Sequence, residues 1–421
     1  MIGIARQTAI YLAGVGGRRP PVPVDVTRLE AGARRAMAPE AFAYVAAGAG
    51  TEDTVAANRA AFARRRIVPR MLRDVSQRDT SVELLGRRLE SPFMLAPVGV
   101  LELAHPDADL AVARAARATG VPMVFSNQAS KPMEECAEAL GDSPHWFQLY
   151  WSTRDELVAS FAARAERSGC EAIVITLDTT MLGWRPRDLT PAYLPFLRGK
   201  GIAQYTSDPV FQRLMDEGDA NETPTPRPNL KAVKTFVDMT RAYPDGFTKT
   251  LGSGRGRSAV QKFVQIYSRP SLTWEQLPFL REHTSLPILL KGILHPEDAV
   301  RAVEAGMDGI VVSNHGGRQV DGAIATLDAL PAVVKAVEDR IPVLLDSGVR
   351  SGADAFKALA LGARAVLIGR PYVYGLAIAG QDGVQAVLDH LRADFDLTMG
   401  LAGCSSVAEI GPETLTAEGA P

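Results

Sequence analysis

Cysteine is scarce in this sequence: Cys136, Cys170 and Cys404 are the only three among 421 residues, and they are scattered. An odd, unclustered set argues against a disulfide framework and has no metal-ligand spacing, so a reducing cytoplasm and no metal are expected. Long apolar runs are also missing. None reaches the roughly 18 residues needed to cross a bilayer, so no membrane partner is expected. The start, MIGIARQTAIYLAGVGGRRPP, carries one short apolar run. It lacks a positive n-region and an A-x-A-like cleavage site, and reads as an N-terminal arm. Charge of one sign is not in excess either: 46 Lys and Arg face 48 Asp and Glu, which gives no support for a nucleic-acid partner. No G-x-G-x-x-G, P-loop or G-x-S-x-G pattern occurs, so nicotinamide, nucleoside-triphosphate and serine-nucleophile sites lack support.

What is present is a rhythm. Eight short apolar runs lie at 92–99, 121–126, 145–150, 172–178, 287–292, 309–314, 342–348 and 365–370. Most are continuously apolar, as in strands covered on both faces. Helical patterns such as DADLAVARAARATG, HPEDAVRAVEAG and SGADAFKALALG separate most of them. Eight strand-helix alternations predict a closed parallel (β/α)8 barrel of the TIM type, with an open doubly wound sheet as the alternative. The barrel is expected over 91–401, preceded by a mainly helical extension over 1–90 and followed by a tail over 402–421. One connection is far too long for a single helix, and predicts a lid insertion over about 188–270. Its polar, Pro-rich stretch DEGDANETPTPRPNLK (216–231) reads as the mobile part.

In a βα barrel the residues just after each strand converge on one face. Here that set comprises Gly99, Ser126, Gln148, Tyr150, Thr176, Asp178, Lys291, the stretch Ser313 to Arg318, Asp346 to Arg350, and Gly369 with Arg370. The last two groups, DSGVRSGAD and IGRP, place glycines and arginines after strands seven and eight, where backbone N–H groups can hold a phosphate. Lys291 ends an apolar strand, a poor place for an ammonium unless it faces an acceptor or an anion. Either a Schiff base or a charge beside an electron-accepting cofactor suits it. In SNHGGRQVDG, His315 can take a proton near neutral pH if another group fixes its tautomer, and Asp178 is the candidate. Arg318 and Arg185 can clamp a carboxylate in the bidentate way a lysine cannot. The other five histidines, His105, His145, His283, His295 and His390, read as structural or solvated.

These stretches, together with FQLY, TLDTTMLGWRPRDL, LKGILHPEDA and AYVAAGAGTEDT, resemble the FMN-dependent α-hydroxy acid oxidases and dehydrogenases from about Tyr44 to beyond Tyr372. The resemblance implies FMN at the barrel mouth and a small L-2-hydroxy acid as substrate. It implies that Pro97, Gly99, Ser126, Gln148, Thr176, Lys291 and Ser313 lie along the flavin and ribityl chain. Asp346, Gly348, Arg350, Gly369 and Arg370 would hold the ribityl and phosphate end. The charge of Lys291 would then favour the reduced, anionic flavin. Arg185 and Arg318 are implied to bind the substrate carboxylate, Tyr44 and Tyr150 its polar groups, and His315, oriented by Asp178, to remove a proton. A homotetramer is implied as well.

The fate of the electrons is a further matter. Gly99 stands where simple oxidases of the family commonly have Ala, and the continuation LPFLRGKGIAQYTSDPVF resembles the long lid of lactate 2-monooxygenases. The expectation is therefore a monooxygenase that uses oxygen to turn lactate into acetate, carbon dioxide and water. A 2-hydroxy acid oxidase releasing hydrogen peroxide, or a dehydrogenase with another acceptor, is the alternative. Met181, Leu182 and Trp184 are candidates for an apolar side-chain pocket, while Trp184 suits lid packing equally.

Overall fold

The computed structural model describes residues 2–217 and 229–416. A short antiparallel hairpin, β1 (Val82–Leu84) and β2 (Arg87–Leu89), precedes eight further strands. These are β3 (Phe93–Leu95), β4 (Met123–Phe125), β5 (His145–Leu149), β6 (Ile173–Thr176), β7 (Ile288–Ile293), β8 (Gly309–Val312), β9 (Val343–Leu345) and β10 (Ala365–Ile368). They close in sequence order into one parallel barrel, with β10 returning to β3 through Val366–Phe93, Leu367–Met94 and Ile368–Leu95. Every apolar run read from the sequence is a barrel strand. The four residues of β6, β8 and β10 are buried throughout, as helices outside and side chains inside require.

Local signals set the helix boundaries. The helix Gly352–Ala360 starts where the Ser351 side chain accepts from the Asp354 N–H. The helix Pro209–Asp216 starts where Asp208 accepts from the Val210 and Phe211 N–H groups, with Pro209 at its first position. The last helix, Arg370–Leu401, breaks at Ala379 and Gly380, where Gly380 has φ +56° and lets the chain redirect.

The first 90 residues form four helices, Ile2–Val15, Val26–Ala36, Pro39–Ala46 and Asp53–Arg64. The β1–β2 hairpin among them adds to the mainly helical reading, since three-residue strands carry too little periodicity to be seen. Helix Ile2–Val15 docks on the last helix, where the Gly3 N–H donates to Asp396 Oδ2 at 2.8 Å. No helix among the described residues is long and apolar enough to cross a membrane.

The insertion between β6 and β7 is a packed helical layer. Phe263 from its second half packs against Phe196 at a tilt and edge-on against Tyr205 from its first, with ring centroids 5.3 and 4.8 Å apart. Tyr205 in turn meets Phe161 on the barrel at 5.1 Å. Arg164, almost fully buried, donates to Gln204 O at 2.7 Å and pairs with Asp208 at 3.1 Å and Glu134 at 2.8 Å. Much of the stretch read as mobile, 218–228, lies outside the described residues. The part from Asn229 onward forms the helices Leu230–Ala242, Phe247–Ser253 and Arg255–Ile266.

Candidate active site

The strand ends meet as expected. A cleft opens at the C-terminal mouth of the barrel. Pro97 and Gly99 border it after β3, Tyr150 after β5 and Lys291 from β7. His315 and Arg318 follow β8, Asp346, Gly348 and Arg350 follow β9, and Gly369 and Arg370 follow β10. Tyr44 reaches it from helix Pro39–Ala46, and Arg185 from the lid. The remaining candidates, Ser126, Gln148, Thr176, Asp178 and Ser313, do not border it but are joined to residues that do. Ser313 Oγ accepts from Lys291 Nζ at 2.8 Å, and Thr176 pairs with Lys291 across β6 and β7. Ser126 Oγ accepts from the Gln128 N–H at 3.1 Å and lies 3.2 Å from Gln148 Oε1.

The turn after β8 has an unusual backbone. His315, Gly316 and Gly317 all have positive φ, at +56°, +67° and +75°. For a histidine this costs about 1–2 kcal/mol, so the surroundings must impose it. Ser313 Oγ accepts from the His315 N–H at 3.1 Å, Ser347 Oγ from Gly316 at 2.8 Å, and Asn314 Oδ1 from Gly317 at 3.1 Å. Asn314 and Asn58 exchange reciprocal amide bonds of 2.8 and 2.9 Å, which tie the turn to helix Asp53–Arg64. A Cβ at position 317 would fall 2.8 Å from the Val55 nitrogen, so the close approach of the two segments requires glycine.

Charge is concentrated here and balanced in pairs. Burial works against the Lys291 ammonium, but Asp178 and Asp346 stand 3.6 and 3.3 Å away and outweigh it, holding the ammonium protonated beyond its usual range. Burial would raise the Asp178 carboxyl, yet Lys291 and His315 beside it hold it well below the usual carboxylate range. His315 Nδ1 lies 2.7 Å from Asp178 Oδ1. Because Asp178 is ionised, Nδ1 carries the hydrogen and Nε2 keeps a free lone pair. Burial, aided by the Lys291 and Arg318 charges, lowers the proton affinity of His315 against the pull of Asp178. A neutral imidazole beside fixed cations can accept a proton from a ligand.

Burial also pushes the Arg318 and Arg350 guanidinium groups down to about 10, so both stay cationic at neutral pH and favour any anion that enters. Arg318 donates to Tyr44 O and Ala47 O at 2.6 and 3.0 Å and lies over the Tyr44 ring at 5.1 Å. Arg185 is held by Arg318 O at 3.2 Å, Gln319 Oε1 at 3.3 Å and Asp188 at 3.4 Å.

The polar lining fits a flavin nucleotide. Thr176 Oγ1, Gln148 Nε2 and Asn127 Nδ2 are buried without a hydrogen-bond partner. Leaving such groups unpaired costs about 1–3 kcal/mol each, which a ligand offering carbonyl and N–H groups recovers. Arg350 and Arg370, with the Gly348 and Gly369 backbone, supply a cationic end for a phosphate.

Some participants are not evident in the sequence. Thr179 Oγ lies 3.0 Å from Asp178 Oδ1 and 3.2 Å from His315 Nδ1. Gln319 donates to Asp178 O and Met181 O at 2.7 and 2.8 Å; its place in the HGGRQ run was the available signal. Gln128 and Phe196 border the cleft. Of the three candidates for an apolar pocket, Leu182 borders the cleft, whereas Met181 and Trp184 face solvent. His145 is bonded to Ser143 O and Ser168 O, His295 caps a helix and His283 bonds to Phe279 O, in line with structural roles.

Comparison with known proteins agrees with this geometry. Residues 33–417 match the family model described as FMN-dependent dehydrogenase. The chain is 43% identical to L-lactate oxidase of Lysinibacillus sphaericus, over 94% of this chain and 93% of that protein. It is 42% identical to 4-hydroxymandelate oxidase of Amycolatopsis orientalis, over 91% and 96%. A crystal structure of mandelate oxidase superposes with a TM-score of 0.74 at 38% identity, covering 94% of this chain and 98% of that one. The chain belongs to the FMN-dependent dehydrogenase family, and FMN is its cofactor.

Proposed function

We propose that this enzyme, an FMN-dependent oxidoreductase of 2-hydroxy acids, acts as a lactate 2-monooxygenase, converting lactate and oxygen into acetate, carbon dioxide and water. FMN, when bound, accepts the two electrons of the oxidation. Arg185 and Arg318 hold the substrate carboxylate, and the Tyr44 and Tyr150 hydroxyls meet its remaining polar atoms. His315 takes a proton at Nε2 while Asp178 retains the hydrogen bond at Nδ1. Lys291, Ser126, Gln148, Thr176 and Ser313, with the Pro97–Gly99 backbone, hold the flavin end of the cofactor. Asp346, Gly348, Arg350, Gly369 and Arg370 hold its ribityl and phosphate end.

The observation that carries the monooxygenase reading is the way the lid is seated beside Gly99. The Gly201 N–H of the lid donates to Glu102 Oε1 at 3.2 Å, Lys200 pairs with Glu102 at 3.3 Å, and the Ala203 N–H donates to Ala129 O at 3.2 Å. Phe196 of the lid borders the cleft and packs edge-on against Tyr44, with centroids 6.4 Å apart. A lid seated this way slows escape of the 2-oxo acid while oxygen is reduced, so that hydrogen peroxide formed there decarboxylates it to the shorter acid, carbon dioxide and water. Leu182 and Phe196 leave an apolar side suited to a small side chain.

The relative named L-lactate oxidase favours a second reading, release of the 2-oxo acid with hydrogen peroxide. Three buried free cysteines suit a reducing cytoplasm. Leu72, fully exposed at φ +56°, and exposed Met71 and Leu401 suit burial between subunits of a homotetramer.

The test is an anaerobic screen of lactate, glycolate, mandelate and longer 2-hydroxy acids for flavin bleaching, followed by product analysis in air. Acetate matching the lactate consumed supports the monooxygenase; pyruvate with stoichiometric hydrogen peroxide rejects it. No bleaching by any of these acids rejects 2-hydroxy acid oxidation altogether.

A further inference from the structure

Thr179 follows Asp178 directly and lines the cleft, with 5% of its surface exposed. Its hydroxyl donates to Asp178 Oδ1 at 3.0 Å, and its oxygen stands 3.2 Å from His315 Nδ1. Asp178 Oδ1 therefore accepts two bonds, one from His315 Nδ1–H at 2.7 Å and one from Thr179. Oδ2 makes no hydrogen bond and has the Lys291 ammonium 3.6 Å away.

That asymmetry matters, because a carboxylate held at one oxygen can rotate its charge toward a neighbouring cation. Lys291 offers such a target, and the bond from Thr179 opposes the rotation by adding a second donor on the His315 side. A threonine has one hydroxyl proton. Once it is committed to Asp178, only lone pairs face His315 Nδ1, which keeps its own hydrogen for Asp178. The bonds from Thr179 and from His315 then meet at one oxygen, Asp178 Oδ1.

We infer that Thr179 is a positioning residue: its hydroxyl pins the Asp178 carboxylate toward His315 and so holds the imidazole in the orientation that meets the substrate. The inference rests on the reading of His315 as the base. It also separates two roles for the same residue. If Thr179 only fills space, valine, which has the same shape, replaces it and serine leaves a gap. If the hydroxyl matters, serine replaces it and valine does not.

The experiment uses FMN-loaded enzyme and measures anaerobic flavin reduction by lactate, or by the acid that bleaches it fastest, in single turnovers. Pyruvate affinity, read from the flavin absorbance, reports the carboxylate site separately. Thr179→Val is expected to slow reduction about tenfold, the equivalent of one net hydrogen bond to a charged group, with pyruvate affinity unchanged. Thr179→Ala is expected to match Val, which covers the case of one variant failing to fold. Thr179→Ser is expected to stay within about twofold of the parent. A Val variant as fast as the parent, a Ser variant as slow as Val, or a parallel loss of pyruvate affinity overturns the inference. His315→Gln in the same series tests the underlying reading: if it keeps the parent rate, His315 is not the base, whatever Thr179 does.

Discussion

The His315 imidazole donates from Nδ1 to Asp178 Oδ1 across 2.7 Å, although 137 residues separate them in the chain. The bond fixes one tautomer and leaves Nε2 as the acceptor. His315→Gln is therefore expected to lower the rate of flavin reduction by about 1000-fold, within the range typical of a general base. Asp178→Asn, which keeps the shape and loses the charge, is expected to lower it about 100-fold. Stopped-flow bleaching with lactate measures both, and pyruvate affinity should change little in either.

Burial lowers the proton affinity of His315 below its ordinary value of about 6.5. The active form is the neutral imidazole, so activity persists on the acid side of 6.5 and is lost only as pH falls through the depressed value. A kcat/KM profile whose acid limb lies above pH 6.5 would contradict this sign.

Arg185 and Arg318 are both held from behind, Arg318 by Tyr44 O and Ala47 O and Arg185 by Gln319 and Asp188. A lysine keeps the charge but cannot reproduce the planar fork. Arg318→Lys is expected to weaken pyruvate binding about tenfold and Arg318→Met about 100-fold, as measured by flavin-monitored titration.

Gly99 sits against Gln128: a Cβ there would lie 2.9 Å from Gln128 O and 3.0 Å from its Cβ. Gln128 O in turn accepts from the Val100 N–H at 2.9 Å and lies 3.0 Å from the Cβ position of Gly201 in the lid. Gly99→Ala is thus expected to push the 126–130 segment and loosen the lid seat. Products should then shift from acetate toward pyruvate and hydrogen peroxide, as assayed in air-saturated buffer. An unchanged acetate yield would remove Gly99 and the lid seat from the account of product fate.

Much of this architecture was legible in the sequence, because its causes are local. The run AIVITLD can only be a strand covered on both faces, and Ser351 followed by Asp354 three residues later marks a helix start. The β1–β2 hairpin was not legible, since a three-residue strand has no period to detect. Nor was the second half of the lid: nothing in the run GRGRSAVQKFVQI shows where it packs until Phe263 is seen between Phe196 and Tyr205.

The sequence by itself determined the barrel, the convergence of polar strand ends on one mouth, and the pairing of His315 with Arg318 in one turn. These follow from short-range periodicity, spacing and the backbone freedom of glycine. Only the tertiary structure decided which groups touch. It brought Thr179 into the His315–Asp178 pair, set Gln319 behind Arg185, and placed Phe196 of the lid against Tyr44 of the N-terminal extension. Such contacts join distant segments of the chain through packing and burial, and no local pattern of residue types encodes them.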